Sequence, residues 1–331
     1  MVERITPNDP RIQYKTAVLN GVNYSYILAE PTSPPKNTIF LIHGFPDLSF
    51  GWRYQIPLLT SLGLRVVAPD MMGYGGTDAP ESINYYTYKR AADDIAALAA
   101  HLSLPSIILG GHDWGGAIVY RVAMYHPTLI TALFSICTPF FPPQTGDYIP
   151  VTRMPNFMYQ LQFGGDLKDI VQGETQIREF LNAMFGGQGA NRERAFDVKN
   201  GYLVKNGPFV KQTMLLSKEE LDFYAKRYAI HGMYGPTSWY RNGPANHEDE
   251  RAFAERIEKE GIRFTMPVLF VAGKRDGALP PALSQGMEKS FRSLTRGEVD
   301  ASHWALWERP AEVNQFIREW LEGKISSTPN L

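Results

Sequence analysis

The chain has 331 residues, 44% of them hydrophobic and 20% charged, with a formal net charge of -1. That composition suits a globular protein long enough for one large core, or a core with a lid, and leaves no basic footprint for nucleic acid or an anionic membrane. The single cysteine, Cys137, excludes an internal disulfide and a cysteine-based metal site; with neither an N-terminal apolar segment nor a membrane-length run, cytoplasmic residence is the default expectation.

In chain order, Tyr14 to Leu19 and Val22 to Leu28 flank Asn20-Gly21, a hairpin signal. Thr38–Ile42, Arg65–Ala68, Ser106–Leu109 and Ile130–Ile136 are short runs rich in Ile, Val and Leu, the pattern of buried parallel strands. Helical patterns separate them: Trp52–Ser61, Tyr86–Leu102 and Gly115–Tyr125. The alternation predicts an α/β fold with a mostly parallel, doubly wound sheet. It breaks at Phe140-Phe141-Pro142-Pro143. Helical pieces rich in Phe, Tyr, Met and Trp follow to about Glu250. Alternation resumes with a strand at Pro267–Ala272, a helix near Pro281–Ser290, a strand at Leu294–Val299 and a helix from Pro310 to Leu321. The reading is a core of residues 1–139 and 251–331, interrupted by a helical cap of residues 140–250.

The most informative stretch is Gly111-His112-Asp113-Trp114-Gly115. It is a G-x-D-x-G pentapeptide between a predicted strand and a predicted helix, the context of a nucleophile elbow. The central residue is a carboxylate. A carboxylate nucleophile attacks an electrophilic carbon and becomes an ester, which argues against a serine esterase. The ester must then be hydrolysed by an activated water, so a general base is needed. Of the seven histidines, His303 follows the last predicted strand and precedes the last helix, the place of the histidine in a nucleophile–acid–histidine order. Asp276, in the turn after Pro267–Ala272, is the acid placed to orient it. His43-Gly44-Phe45-Pro46 follows the Thr38–Ile42 strand and forms a structural turn. The N–H groups of Phe45 and Trp114 are the expected oxyanion donors.

These pieces, with Pro69-Asp70-Met71-Met72-Gly73-Tyr74-Gly75 and Ser302-His303-Trp304, resemble the α/β-hydrolase epoxide hydrolases over nearly the whole chain. The resemblance implies that the peptide bond before Pro46 is cis. In the cap, Phe157-Met158-Tyr159-Gln160-Leu161 and Ser238-Trp239-Tyr240-Arg241-Asn242 look like the segments that supply the paired tyrosines of that family. The resemblance thereby assigns Tyr159 and Tyr240 to the epoxide oxygen, and a phenol is a suitable donor to an alkoxide as it forms. The implied reaction converts an apolar epoxide and water to a vicinal diol through an ester on Asp113, with no metal and no organic cofactor. Trp114, Phe157, Met184, Phe185, Trp239 and Trp304 are the expected apolar contacts of the substrate. The alternatives are a haloalkane-type dehalogenase sharing Asp113, His303 and an acid, and a non-catalytic small-molecule receptor on the same fold. Two cap phenols suit an alkoxide better than a halide. The sequence leaves the identity of the epoxide and the oligomeric state open, a homo-oligomer included.

Overall fold

The computed structural model describes residues 2–261 and 263–325. Its strands are β1 Ile12–Leu19, β2 Val22–Ala29, β3 Asn37–Ile42, β4 Leu64–Pro69, β5 Ile107–His112, β6 Ile130–Ile136, β7 Phe196–Asp197, β8 Gly201–Tyr202, β9 Val268–Gly273 and β10 Leu294–Val299. The α-helices are α1 Gln55–Ser61, α2 Tyr88–His101, α3 Trp114–Tyr125, α4 Tyr159–Gly164, α5 Leu167–Ile170, α6 Gly173–Met184, α7 Lys218–Ala229, α8 Tyr234–Ser238, α9 Gly243–Glu260, α10 Ala305–Glu308 and α11 Pro310–Ile325.

Eight strands form one sheet in the order β1-β2-β4-β3-β5-β6-β9-β10. The β1–β2 and β2–β4 pairs are antiparallel and the others parallel. Asn20 and Gly21 both take positive φ, 47° and 81°, which lets β1 turn directly into β2. The edge strand β1 buries only Ile12, Ala17 and Leu19, whereas β5 and β9 are buried at every position. Helices cover both faces of these inner strands, so their sequences read as unbroken apolar runs. The strand order reverses between β3 and β5, and the crevice at such a reversal, beyond the carboxyl strand ends, is where α/β sheets place their ligands.

Between β6 and β9 the chain leaves the sheet and forms six helices with 3-10 turns. Two details depart from the sequence reading. A short antiparallel hairpin, β7–β8, lies within the helical section. Helix α9 also runs through residue 250 to Glu260 and ends at Gly261 in the left-handed region (φ 60°), so no break occurs at the expected boundary. A third departure lies in the core: Pro281–Ser290 is not one helix but two 3-10 turns, Pro281–Ser284 and Met287–Ser290. Gly286 separates them at φ 80°, a value no continuing helix can accommodate. Among the described residues, no helix is long and apolar enough to cross a membrane.

Candidate active site

Asp113 stands between β5 and α3 with φ 55° and ψ -125°. A non-glycine residue there is strained by about 1–3 kcal/mol, which the surrounding packing must hold in place. The flanking glycines make the turn sterically feasible. A Cβ at Gly115 would collide with the carbonyl of Ile42, and one at Gly111 with the backbone of Gly115. The Thr138 hydroxyl donates to the Asp113 carbonyl (2.8 Å) and fixes the strained backbone from the β6 side.

The two oxygens of the Asp113 carboxylate have different surroundings. Oδ1 accepts a hydrogen bond from the Phe45 N–H at 2.6 Å. The Trp114 N–H borders the same space: a Cβ at Gly44 would meet both Asp113 Oδ1 and the Trp114 nitrogen. Oδ2 lies 3.4 Å from His303 Nε2. His303 Nδ1 in turn lies 2.7 Å from Asp276 Oδ2. Asp276 is held on its other oxygen by the N–H groups of Ala278 and Leu279, both at 2.9 Å. The structure thus brings Asp113, His303 and Asp276 into one chain of contacts, from the ends of β5, β10 and β9.

The electrostatics follow from that chain. Burial alone disfavours an imidazolium, but the charges of Asp276 and Asp113 and their hydrogen bonds outweigh it and raise the pKa of His303 well above the ordinary value. Burial also works against ionised Asp113 and Asp276. It is overcome by His303 in both cases, with help from the Phe45 N–H at Asp113 and those of Leu279 and Ala278 at Asp276, so both carboxyls titrate below their ordinary 3.8. His112 behaves in the opposite way: burial, and then the charge of His303, lower it to about 4, so its ring is neutral.

Two residues to which the sequence reading gave no part in catalysis hold the base. His112 Nε2 donates to the His303 carbonyl at 2.8 Å, and the Cys137 thiol donates to the same oxygen at 3.5 Å. Among the described residues, His112, Cys137 and His303 are the one cluster close enough to suggest a metal site. The hydrogen bonds give a different use for it, since His112 and Cys137 converge on one backbone carbonyl and the His303 ring faces carboxylates. His43 forms a structural turn. It accepts from the Met71 N–H on Nε2 (2.9 Å) and donates from Nδ1 to the Gly44 carbonyl (2.8 Å), and the following Phe45–Pro46 peptide is cis.

Above the carboxylate lies a cavity of about 400 Å³. Asp113, Trp114, Phe157, Tyr159, Trp239 and Tyr240 all line it. The rings of Tyr159 and Tyr240 stand 6.3 Å apart, and Tyr240 packs edge-on against Trp114 and Phe45 at 5.2 and 5.3 Å. Burial, reinforced by the charge of Asp113, pushes both phenols above their ordinary value of 10, so each remains protonated as a donor. Trp239 is anchored by its indole N–H to the Met72 carbonyl at 3.0 Å.

Three expected substrate contacts are corrected by the structure. Met184, Phe185 and Trp304 do not line this cavity. Trp304 stacks on Trp307 at 4.7 Å and donates to the Met184 carbonyl at 2.8 Å. Phe185 is fully buried against Tyr224, Trp304 and Trp307. Phe185 and Trp304 pack the seam between α6, α7 and α10, and truncating Phe185 would cost about 3–5 kcal/mol of stability rather than substrate affinity.

The alpha/beta hydrolase fold family matches residues 37–310. The chain is 41% identical to epoxide hydrolase srdG of Neurospora crassa, over 97% of this chain and 98% of that protein. It is 32% identical to bifunctional epoxide hydrolase 2 of Rattus norvegicus over 97% of this chain, which spans 57% of that longer protein. Among solved structures, it superposes on epoxide hydrolase A from Mycobacterium thermoresistibile with a TM-score of 0.79 and 28% identity, covering 94% of this chain and 98% of that one.

Proposed function

Because the chain belongs to the epoxide hydrolases of the α/β-hydrolase fold, we propose that it opens apolar epoxides to vicinal diols through Asp113, His303 and Asp276, with Tyr159 and Tyr240 as donors to the epoxide oxygen. The observation that carries this assignment is the meeting of a carboxylate and two protonated phenols in the lining of one cavity. A nucleophile and two acids lining one cavity of about 400 Å³ match an epoxide, whose carbon is attacked as its oxygen takes up a proton.

In this reading Asp113 attacks one ring carbon and the C–O bond breaks. The alkoxide is stabilised and protonated by Tyr159 or Tyr240, and a hydroxyalkyl ester of Asp113 results; the phenolate is re-protonated through solvent as the His303 imidazolium gives up its proton. His303, oriented by Asp276, removes a proton from water, which adds to the ester carbonyl. The Phe45 and Trp114 N–H groups hold the oxyanion; its collapse breaks the bond to the diol oxygen, which takes the proton from His303, and the water's other proton, left on the Asp113 carboxyl, passes to the freed imidazole. Residues 140–250 act as a cap over a core of 1–139 and 251–331, with α9 carrying the junction on to Glu260.

The test is a single turnover of styrene oxide by excess enzyme in water enriched in heavy oxygen. The diol should form without the label, which should appear in the Asp113 peptide, because the oxygen delivered to carbon comes from the carboxylate. Labelled diol would mean direct attack by water. Halide release from a bromoalkane with no diol from any epoxide would favour dehalogenation instead.

A further inference from the structure

The lining of the same cavity carries an ion pair that the reaction does not use. Arg121 lies on α3, eight residues beyond Asp113 and therefore about 12 Å along the helix axis. Arg121 Nε and Nη2 donate to the two carboxylate oxygens of Glu250 on α9, at 2.8 and 3.0 Å. Nη2 also reaches the Phe141 carbonyl at 3.1 Å. The guanidinium lies 5.0 Å from the centre of the Tyr88 ring. Both charged residues are buried, at 6% and 5% exposure, and both line the cavity, together with Tyr88, Ala117 and Asn246.

Nothing in the chemistry of ring opening calls for a buried cation two helical turns from the nucleophile. As a mere latch between α3 and α9 the pair is a poor choice, because a well-packed apolar pair in its place is commonly as stabilising or more so. The disposition of the guanidinium suggests another use. Among the described residues, Nη1 makes no hydrogen bond, and it is not among the enclosed polar atoms that lack partners. It therefore retains an unused donor that is not fully enclosed, on a side chain that lines the cavity, while Glu250 fixes the plane of the group and cancels its charge.

We propose that the Arg121–Glu250 pair is a specificity subsite that binds an uncharged oxygen of the substrate — a hydroxyl, ketone or ester oxygen — about two helical turns from the reacting epoxide. This rests on the epoxide hydrolase reading of the cavity and adds a polar anchor to its apolar lining. The electrostatics select a neutral oxygen over a carboxylate. Glu250 already compensates the guanidinium, and Asp147 lines the same cavity, so an anionic substrate would meet two carboxylates and one paired cation. A hydroxyl can accept from Nη1 and donate to the remaining lone pairs of Glu250, whereas a ketone or ester oxygen accepts only.

The experiment compares 1,2-epoxydecane with 9,10-epoxydecan-1-ol, which differ only in a terminal hydroxyl. A hydrogen bond to a charged donor predicts a kcat/KM about 10-fold or more in favour of the hydroxylated epoxide. In Arg121→Met/Glu250→Leu, which leaves no unpaired charge, the ratio between the two should fall close to one. Arg121→Lys keeps the cation but loses the planar fork, and should reduce the ratio in part. Calorimetric binding of the corresponding products, decane-1,2-diol and decane-1,2,10-triol, to the wild-type protein reads the same preference without turnover and without a variant. Equal kcat/KM and equal product affinity in the wild type would overturn the subsite. So would a double variant that folds and keeps the full preference. A binding preference with no diol formed from either epoxide would uphold the subsite and remove the epoxide reading instead.

Discussion

Replacing His303 by glutamine should stop the reaction halfway. The imidazole contacts Asp276 at 2.7 Å on one nitrogen and faces Asp113 at 3.4 Å on the other. Glutamine can still hydrogen-bond to Asp276 but cannot take a proton from water. The first half-reaction needs only the Asp113 carboxylate and a phenol, all of which remain. The second needs the base, and a positioned general base contributes about 10²–10⁴-fold. If the two steps run at comparable rates in the wild type, even the lower figure leaves about 99% of the variant as ester at steady state. A quenched-flow experiment should give a burst of one epoxide consumed per enzyme, then almost no diol. Intact-mass measurement should show a gain equal to the whole epoxide, since ring opening expels no leaving group, and peptide mapping should place it on Asp113. Normal turnover by the variant, or an adduct on any other residue, would refute the assignment of nucleophile and base.

Changing both Tyr159 and Tyr240 to Phe should abolish the burst, and either single change should lower its rate by about 10–100-fold, the value of one hydrogen bond to a developing charge; pre-steady-state epoxide loss measures it. Asp276→Asn should slow ester hydrolysis by up to about 10⁴-fold, because an amide facing Nδ1 no longer enforces the tautomer with a basic Nε2; stopped-flow decay of the intermediate reads this directly. Asp47, buried beneath the helical section, accepts from the Tyr224 hydroxyl at 2.5 Å and the Leu48 N–H at 2.7 Å. Burial raises its carboxyl from 3.8 to about 7 in spite of those donors and Arg53. The folded form therefore holds an extra proton between those values, and this group's contribution to stability falls as pH rises from 3.8 to about 7; the difference in urea midpoint between wild type and Asp47→Asn should shift against the wild type across that range, and a difference independent of pH would count against the shift.

The sheet was legible because its inner strands are buried on both faces, and burial on both faces leaves apolar runs such as Ile107-Ile108-Leu109 that no surface element would carry. The triad was legible from order along the chain: an elbow at Asp113, then acids and histidines sorted by which follow a strand end. Roles that depend on side-chain direction were not legible. Phe185 and Trp304 have the composition of a substrate pocket but pack against Tyr224 and Trp307, and no local pattern separates an aromatic in a seam from one on a cavity wall. His112 and Cys137 converge on the His303 carbonyl from 191 and 166 residues away, a meeting that only the strand order creates. Arg121 reads locally as the polar face of a helix, and only the placement of α9 turns it inward onto Glu250.

The two oxygens of the Asp113 carboxylate divide the chemistry between them. Oδ1 already accepts the Phe45 N–H at 2.6 Å, whereas Oδ2 faces the imidazole at 3.4 Å. In the proposed mechanism Oδ2 is thus the atom that attacks carbon, and Oδ1 becomes the ester carbonyl oxygen, already seated where the oxyanion will form. No rearrangement is needed between the two steps, and preorganised donors of this kind are the largest single source of stabilisation in acyl transfer. The same division sets the timing of the base. While Asp113 is a carboxylate, its charge helps keep His303 protonated. Once Oδ2 is alkylated that charge disappears, His303 retains only Asp276 as an anionic partner, and its affinity for the proton falls as water activation becomes necessary. Alkylation of the nucleophile is therefore also the event that releases the base, so the order of the two half-reactions is built into one pair of contacts.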